Sequence, residues 1–312
     1  MSYIEQRAGA CFTVDKRYPG EIQAAGELPS DCAREYVLQP NRNPRSKLQL
    51  SQPTISIVTP SFNQGRYLER TICSVLDQGY PNLEYIIIDG GSTDGSQDII
   101  RRYEERISYW VSEPDLGQTD AINKGFDRAK GEIFAWLNSD DTYQPGALEQ
   151  AVQFLGSNPA IGMVYGSAMY IDDNDQPIAR YPARHTDYHG LRRGVNTISQ
   201  QAMFFRSKLW CMVRPLDPNF YYAMDYDLWV RIASISPIRW HDRYWANFRL
   251  QEGSKSMREA YRCWPEVVKV HFRDGGSVFS ILYLKYILRR ILEPIVPLRL
   301  AYRKLKYRLT QG

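Results

Sequence analysis

Short apolar runs alternate with helical patterns between residues 54 and 141, and this alternation constrains the fold more than any other feature. The runs have the length of buried strands, and each is followed by a polar turn. Between them, apolar residues recur three or four positions apart, as in amphipathic helices. Strands that alternate with helices form βαβ units, whose strands pair in parallel. The sequence therefore predicts an α/β fold with a mostly parallel central sheet, whose first four strands lie near residues 54–58, 83–88, 107–111 and 133–137.

Each predicted helix needs groups that accept hydrogen bonds from its first turn. Asn63 and Thr119 stand close to the starts of the first and third helical patterns. Side-chain oxygens of Asn and Thr commonly accept hydrogen bonds from the free N–H groups of a first turn. We expect these two residues to be N-caps.

Polar residues follow the ends of the four predicted strands. Because ligands bind beyond the carboxyl ends of parallel strands, we expect these residues to line one site. Asp140 and Asp141 are adjacent carboxylates that repel each other unless a positive charge lies between them. A divalent cation that also carries a substrate's phosphates would supply that charge, and a solvated turn is the alternative. The residues at this edge are Pro60, Ser61, Asp89, Glu113, Asp115, Asp140 and Asp141.

Glycine-rich phosphate loops are missing from the sequence, which contains neither a GxGxxG nor a GxxxxGK[ST] pattern. Such loops hold phosphate through backbone N–H groups at the start of a helix. We therefore expect phosphate groups to be held through a metal ion instead.

The cysteine content and the N-terminal residues indicate the cellular compartment. The five cysteines are scattered, without a CxxC pair or a Cys/His cluster, so neither a zinc site nor a disulfide framework is indicated. This usage fits a reducing compartment. Residues 1–7 lack the basic start and apolar stretch of a signal peptide. We expect a cytoplasmic protein and no nucleic-acid partner.

Five short motifs occur in order along the chain: TPSFN at 59–63, IDGGSTD at 88–94, GQTDAINKG at 117–125, NSDD at 138–141 and MDYDLWVR at 224–231. Each is weak alone, but the five together are specific. With them the chain resembles the family 2 glycosyltransferases, inverting enzymes that act in bacterial polysaccharide and glycolipid assembly. The resemblance implies a GT-A fold, in which a Rossmann-like sheet is flanked by helices.

Three segments follow from the motifs and the composition. Residues 1–50 form an N-terminal extension to which no role is assigned. Residues 51–260 form the GT-A domain, with a nucleotide-sugar half near 54–142 and an acceptor half near 143–260. Residues 261–312 form a basic helical tail.

The resemblance implies transfer of a sugar from a nucleotide-diphosphate donor, expected to be a UDP-sugar, to a hydroxyl of a saccharide or lipid-linked acceptor. A Mn²⁺ or Mg²⁺ ion on the diphosphate would stabilise the leaving group. The family pattern assigns the metal to Asp141, and Asp140 would share the metal or contact the ribose. Asp89 would contact the nucleobase or ribose, with a turn-forming role as the alternative. Further donor contacts are expected from Pro60, Ser61 and Asp120.

Two positions depart from the family pattern. Asn138 stands where the metal motif usually begins with an acidic residue, and its neutral amide is a weaker ligand. Met224 stands where Glu often precedes the catalytic Asp, which leaves Asp225 as the candidate general base. Nearby aromatic residues would partly desolvate Asp225 and raise its pKa, and a structural role at a helix N-terminus is the alternative. Asp227 is expected to pair with Arg231.

Other positions carry weaker predictions. Arg249 and Lys255 are basic residues that could contact the diphosphate, with a solvated loop as an equal alternative. Relatives often have His where Gln251 stands, so no metal-ligand role is transferred to this residue. Gln201 and Trp229 are expected on the acceptor side.

The C-terminal tail is basic and partly apolar. Eight Lys and Arg residues and one Glu lie between Lys285 and Arg308, although the whole chain carries only +4. The apolar part, residues 278–292, is too short and too charged to span a bilayer. We expect a basic amphipathic helix on an anionic membrane surface, which would make the protein peripheral at the inner face of the cell membrane. A helix pair packed on the domain is the alternative.

Two other functions share parts of the pattern. A sugar-nucleotide nucleotidyltransferase has a similar core and acidic metal residues, but it would need a glycine-rich basic loop that residues 59–65 do not supply. A non-catalytic carbohydrate-binding protein on the same fold would not need the carboxylates at all four positions Asp89, Asp140, Asp141 and Asp225.

Overall fold

A computed structural model of the chain describes residues 52–194, 197–251 and 262–292. The predictions for residues 1–50, for Lys255 and for the basic stretch after Leu292 lie outside the described residues.

Four parallel strands form the first part of the sheet, in the order β3-β2-β1-β4. Three helices connect them, as the alternating pattern predicts. The elements are β1 (Ile55–Ser61), α1 (Gly65–Leu76), β2 (Leu83–Asp89), α2 (Ser96–Arg102), β3 (Tyr109–Ser112), α3 (Gln118–Arg128) and β4 (Ile133–Trp136).

Successive residues of these strands face two separate apolar layers. Ile57 packs in one cluster with Leu68 of α1, and Val58 packs in the other with Phe126 of α3. Helix α3 approaches β1 closely, since a Cβ at Gly125 would lie only 2.4 Å from Cγ1 of Val58. The sheet is therefore covered by helices on both faces, which explains why its strands read as continuous apolar runs.

The second half of the chain continues the same sheet with mixed pairing. Strand β8 is antiparallel to β4 and β6, β6 is parallel to β9, and β5 and β7 pair antiparallel with β9 and β6. The nine strands of the described residues thus form one sheet. The added elements are β5 (Thr142–Tyr143), α4 (Ala147–Ser157), β6 (Met163–Ile171), β7 (Pro177–Arg180), α5 (Tyr188–Arg192), β8 (Met203–Arg206), α6 (Ser207–Val213), α7 (Met224–Ile235) and β9 (Ile238–Arg249).

Both predicted helix caps are wrong. Asn63 has a positive φ of 51° and lies before the N-cap position of α1, and its Oδ1 accepts the N–H of Thr93 at 2.9 Å. The N–H of Gly65, the first residue of α1, donates instead to Asp94 from the loop after β2, at 2.8 Å. Thr119 lies inside α3. At α1 the accepting group comes from a neighbouring loop, which local sequence does not reveal.

Two further helices, α8 (Cys263–Arg273) and α9 (Ile281–Leu292), follow β9. The carboxylate of Asp227 on α7 is fully buried and pairs with Arg231, at 2.6 Å, and with Arg273 of α8. The predicted pairing of Asp227 with Arg231 is confirmed, and the second partner attaches α8 to α7.

Helix α9 is anchored by Leu282, which is fully buried, and by Tyr283 and Tyr286, which pack partly buried against the same core. Other apolar side chains of the helix face outward, and no helix among the described residues is long and apolar enough to cross a membrane. The exposed apolar residues of α9 are Ile281, Leu284, Ile287, Leu288 and Ile291.

Candidate active site

The carboxyl ends of the four parallel strands lie at one edge of the sheet. Ser61 is in register with Asp89, and Asp89 with Ser112. Trp136 is in register with Val58, so the turn that contains Asp140 and Asp141 leaves β4 at the same edge. We refer to residues 138–141 as the acidic turn.

Asp89 is held within the protein at this edge. Its carboxylate is fully buried and accepts hydrogen bonds from the N–H of Ser92 at 2.8 Å, from Oγ of Ser92 at 2.5 Å and from Oγ of Ser112 at 2.6 Å. These bonds close the turn after β2 and join it to β3. The arrangement corresponds to the turn-forming alternative and leaves little of Asp89 for a nucleobase or ribose.

The other predicted donor-binding residues differ in the solvent exposure of their side chains. Pro60 and Ser61 are buried at the end of β1, and Oγ of Ser61 has no hydrogen-bond partner among the described residues. Asp120 lies in the first turn of α3, accepts the N–H of Leu116 at 3.1 Å and pairs with Lys124 at 3.2 Å. Of the three side chains, only that of Asp120 is partly open.

Asp140 and Asp141 differ in their access to a ligand. Asp141 is fully buried, and its Oδ1 accepts the backbone N–H of Arg249 at 2.9 Å. Asp140 is half-buried, and its Oδ2 accepts a hydrogen bond from Nε2 of Gln251 at 2.6 Å. Burial raises the pKa of both carboxyl groups, and the charge of Asp140 adds to the rise at Asp141. Two negative charges in so poorly solvated a turn favour a cation beside it.

Carboxamides contact the acidic turn, and the guanidinium of Arg249 is a charged neighbour that opposes the pKa rise of both carboxyl groups. Nε2 of Gln118 donates to Oδ1 of Asn138 at 2.8 Å, and Nδ2 of Asn138 donates to Oε1 of Gln200 at 3.2 Å. Nε2 of Gln200 in turn donates to the carbonyl of Trp136 at 2.9 Å. With Gln251, these neutral side chains fix the shape of the turn without neutralising its charge.

Arg249 supports the site from within the protein. It is fully buried, and its guanidinium donates to the carbonyls of Asp140 (2.9 Å) and Asp172 (2.6 Å) and to the carboxylate of Asp175. It also lies 4.8 Å from the ring centroid of Tyr67. Because the side chain is fully buried, this placement, contrary to the prediction, leaves no exposed donor for a diphosphate. Arg249 instead ties the acidic turn to the turn between β6 and β7.

Asp225 lies in the first turn of α7, as a half-buried residue. Its Oδ1 accepts the N–H of Tyr226 at 2.6 Å. Burial raises the pKa of Asp225 to about 6; the N–H of Tyr226 opposes this rise, and the charge of Glu266 adds to it. Such a carboxylate is still largely ionised near neutral pH and is a stronger proton acceptor than an ordinary Asp.

The N-terminus of α3 contacts both the start of α7 and the acidic turn. Oγ1 of Thr119 donates to Sδ of Met224, the residue before Asp225, at 2.9 Å. The preceding residue, Gln118, donates to Asn138 of the acidic turn. The start of α7 and the acidic turn therefore both contact the first turn of α3.

The two predicted acceptor-side residues belong to the protein interior. Trp229 is 1% exposed within the core, and its Nε1 lies 3.0 Å from Sδ of Met203. Gln201 is 4% exposed, and its Nε2 has no hydrogen-bond partner among the described residues. The neighbouring Gln200 is the one that reaches the acidic turn. The apolar residues on both sides of Trp229 were the sequence signal for its burial.

A metal ion would have to share its coordination with a substrate at this site. The described residues contain no group of three or more His, Cys, Asp or Glu side chains that could hold a metal. Asp140 offers one carboxylate that is not fully buried. Ions such as Mg²⁺ are often bound by one or two carboxylates together with substrate phosphates and water. The residues fit an ion that arrives with a diphosphate, and they do not fit a permanent metal centre.

A family comparison decides what kind of protein has this site. The sequence profile described as "Glycosyl transferase family 2" matches residues 56–214, about half of the chain, including all four parallel strands and the acidic turn. The chain belongs to the family 2 glycosyltransferases. Helix α7 with Asp225 lies beyond the matched residues of this glycosyltransferase.

Curated relatives of the glycosyltransferase agree with this assignment. An uncharacterised glycosyltransferase of Mycobacterium tuberculosis is 34% identical over 190 residues, which are 59% of this chain and 71% of that protein. The putative teichuronic acid biosynthesis glycosyltransferase TuaG of Bacillus subtilis is 43% identical over 107 residues. That alignment spans 33% of this chain and 42% of TuaG.

Solved structures of other glycosyltransferases share the fold. S. aureus TarS (residues 1–349) has a TM-score of 0.55 at 17% identity, with 70% of this chain and 65% of TarS covered. The mannosyltransferase PcManGT of Pyrobaculum calidifontis was solved with GDP-Man and Mn²⁺. It has a TM-score of 0.56 at 20% identity, with 76% of this chain and 70% of PcManGT covered. At these identities the likeness shows the fold alone, which is the predicted GT-A fold.

Proposed function

We propose that this glycosyltransferase moves a sugar from a nucleotide-diphosphate donor to an acceptor hydroxyl in one inverting step, with Asp225 as the general base. The observation that carries the proposal is the half-buried carboxylate of Asp225, with its pKa raised to about 6, in the first turn of α7, whose start contacts the first turn of α3 as the acidic turn also does. The acceptor oxygen would attack the anomeric carbon while Asp225 takes its proton. The bond from that carbon to the nucleoside diphosphate would break in the same step.

Asp140 would hold the divalent ion, Mn²⁺ or Mg²⁺, which neutralises charge on the departing diphosphate when bound. Its half-buried carboxylate supports this role. Asp141 is fully buried and bonded to the N–H of Arg249, so it would maintain the shape of the acidic turn. This proposal moves the principal metal role from Asp141, where the family resemblance assigned it, to Asp140.

The substrates are proposed from the relatives. A UDP-sugar is the first candidate donor, since TarS was solved with UDP-GlcNAc; a GDP-sugar is the second, since PcManGT was solved with GDP-Man. The acceptor would be a hydroxyl of a saccharide or of a lipid-linked saccharide. The name of TuaG, which refers to teichuronic acid biosynthesis, supports a role in making a cell-envelope polymer.

Thermal unfolding with UDP, GDP, CDP and ADP, each with Mn²⁺, Mg²⁺ or EDTA, tests the donor assignment. A ligand that binds only the folded state stabilises it by about 2.7 kcal/mol at a concentration of 100 times its Kd. We expect one diphosphate to raise the melting temperature, and to do so more with metal than with EDTA. Release of that diphosphate from its sugar conjugates then tests catalysis. No change with any of the four would overturn the donor assignment.

We also propose that α9 lies on the anionic inner face of the cell membrane, which would make the protein cytoplasmic and peripheral. Exposed apolar side chains on α9, with Leu284 and Ile291 each 66% exposed, support this placement. The basic residues Lys285, Arg289 and Arg290 are interspersed with them. A helix with both features binds the interface of an anionic bilayer. Flotation with lipid vesicles tests the proposal.

A further inference from the structure

Glu266 of α8 contacts the backbone directly before the helix that carries Asp225. Its Oε1 accepts the N–H of Tyr221 at 3.1 Å, and its Oε2 accepts the N–H groups of Tyr222 and Ala223, each at 2.8 Å. Ala223 is the N-cap residue of α7. One carboxylate from a different helix therefore holds three consecutive N–H groups at the start of α7.

These contacts hold the segment that leads into α7, including the N-cap residue Ala223. The N-cap residue of α7 has no side-chain hydrogen bond of its own. Free N–H groups at a helix start need acceptors, and a negative charge near that end of the helix is favourable. Glu266 supplies both, and it thereby fixes the path of the chain into the first turn, where Asp225 lies.

A second contact attaches the same two helices on the other side of Asp225. Arg273, at the end of α8, contacts the carboxylate of Asp227, which is fully buried. Helix α8 is thus bound to α7 before Asp225 through Glu266 and after it through Arg273. Movement of α7 relative to α8 would break one of these two contacts.

We propose that Glu266 is a positioning residue, which holds Asp225 in the orientation that proton removal requires. This inference rests on the proposed function of Asp225 as the base. Both residues lie beyond residues 56–214, the part of the chain that matches the family profile. Helix α8 is therefore assigned a part in the active site and not only in the C-terminal tail.

The charge of Glu266 gives this role a measurable electrostatic signature. Burial is the main cause of the raised pKa of Asp225, and repulsion from Glu266 adds to it. Among the described residues, the other titratable groups that interact with Asp225 are Tyr181, which follows β7, and Cys263 of α8. Both are neutral near pH 6, so Glu266 is the charged neighbour whose removal should lower the pKa of Asp225.

Two substitutions separate position from charge. In Glu266→Gln the negative charge is lost and one acceptor oxygen becomes a donor. In Glu266→Asp the charge stays, but the side chain is one methylene shorter. Glu149→Gln, at an exposed acidic residue in the first turn of α4, is the matched control. The pKa of Asp225 is read by ¹³C NMR of protein labelled at the aspartate carboxyl carbons, with Asp225→Asn to identify the resonance.

We expect a titration midpoint of about 6 for Asp225 in the unsubstituted protein. In Glu266→Gln the midpoint should fall by at least about half a pH unit, because a like charge has been removed. Glu266→Asp should leave the midpoint nearly unchanged. Both variants should lower kcat for diphosphate release from the better of UDP-GlcNAc and GDP-Man by about ten- to a hundredfold, because the base is misplaced. The Glu149→Gln control should change neither quantity.

An unchanged midpoint in folded Glu266→Gln would overturn the inference, as would an unchanged kcat in Glu266→Asp. If Glu266→Gln does not fold, Glu266→Asp still decides through kcat. Failure of the inference is distinguishable from failure of the proposed function. An inactive Asp225→Asn beside fully active Glu266 variants contradicts only the positioning role, whereas a fully active Asp225→Asn contradicts the proposed base itself.

Discussion

At the scale of single residues, the acidic turn separates two carboxylates that look equivalent in the sequence. Asp141 is fully buried against the N–H of Arg249, whereas Asp140 is half-buried and bonded to the amide of Gln251. Asp140 lies in the turn after β4 and Asp141 directly precedes β5, and only Asp140 keeps part of its surface exposed. The spacing of the motif alone does not decide which is which.

Asparagine substitutions distinguish the two roles. We expect Asp140→Asn to weaken metal-dependent binding of the nucleoside diphosphate at least about tenfold, since loss of a metal ligand costs no less than loss of an outer-shell partner. Asp141→Asn should leave that binding nearly unchanged, because an amide oxygen can still accept the N–H of Arg249. Thermal unfolding with Mn²⁺ and the diphosphate measures both. The reverse pattern would return the metal to Asp141.

Asp225 should lower the stability of the folded protein at neutral pH. Its pKa is about 6 when folded and 3.8 in an ordinary environment, so the folded state binds a proton more tightly than the unfolded state. The resulting stabilisation is complete below pH 3.8 and is lost as the pH rises through 6. Allowing for the partial exposure of Asp225, the loss is on the order of 2 kcal/mol.

The isosteric Asp225→Asn substitution tests this linkage. We expect its melting temperature to exceed that of the unsubstituted protein at pH 7.5 by a few degrees, and the difference to shrink towards pH 4. Asp242→Asn, at an exposed position on β9, is the control and should show no such trend. A destabilised Asp225→Asn at pH 7.5 would mean that the carboxylate is more favourably placed than its burial indicates.

Several residue roles could not be predicted because they depend on burial. Arg249 and Trp229 were assigned to ligands from their positions near family motifs, yet both are fully or almost fully buried. The carboxylate of Asp89 is likewise engaged within the protein, since it accepts hydrogen bonds from Ser92 and Ser112. Sequence spacing indicates which residues come near a site, but it does not indicate whether their polar atoms point into it.

At the scale of elements, the first half of the fold was predictable and the second was not. The first four strands alternate with amphipathic helices, and periodicity identifies such units well. In the second half, β6 pairs locally with β7, but it pairs with β8 and β9 through residues far apart in sequence. Long-range pairing of this kind leaves no local pattern. The predicted cap of α1 failed for a related reason, since Asp94 reaches this helix start from another segment.

Helix α9 was predicted as an element, but the direction in which its faces point was not. Its basic and apolar pattern predicts an amphipathic helix, and the structure has a helix over Ile281–Leu292. Only the structure shows that Leu282 faces the protein while Leu284 and Leu288 face outward. The pattern thus identified the element, and packing determined which face remains free.

At the scale of the whole molecule, the exposed face of α9 predicts attachment to an anionic bilayer. We expect the protein to float with vesicles that contain phosphatidylglycerol and not with pure phosphatidylcholine, since each basic residue near an anionic surface contributes about 1 kcal/mol. The double substitution Leu284→Glu and Leu288→Glu should abolish flotation. Ile178→Glu, at another exposed apolar residue, should not affect it. Equal flotation of the unsubstituted protein, the double variant and the Ile178→Glu variant would contradict the membrane proposal.

The active site is likewise a property of the whole molecule. The acidic turn comes from the first half, Asp225 from the second, and Glu266 from α8, and the first turn of α3 contacts both the acidic turn and the start of α7. No single segment contains all the groups that we propose for transfer. This division explains why the family profile, which ends at residue 214, covers the acidic turn without the proposed base.

The central claim is that Asp225 removes the proton from the acceptor while other residues bind the donor. The most direct test is single-turnover release of the nucleoside diphosphate, with its binding measured in parallel, for Asp225→Asn and the control Asp242→Asn. We expect Asp225→Asn to bind the diphosphate with unchanged affinity and to release it from the donor about 10² to 10⁴ times more slowly. Release at the rate of the unsubstituted protein, with binding intact, would contradict the claim.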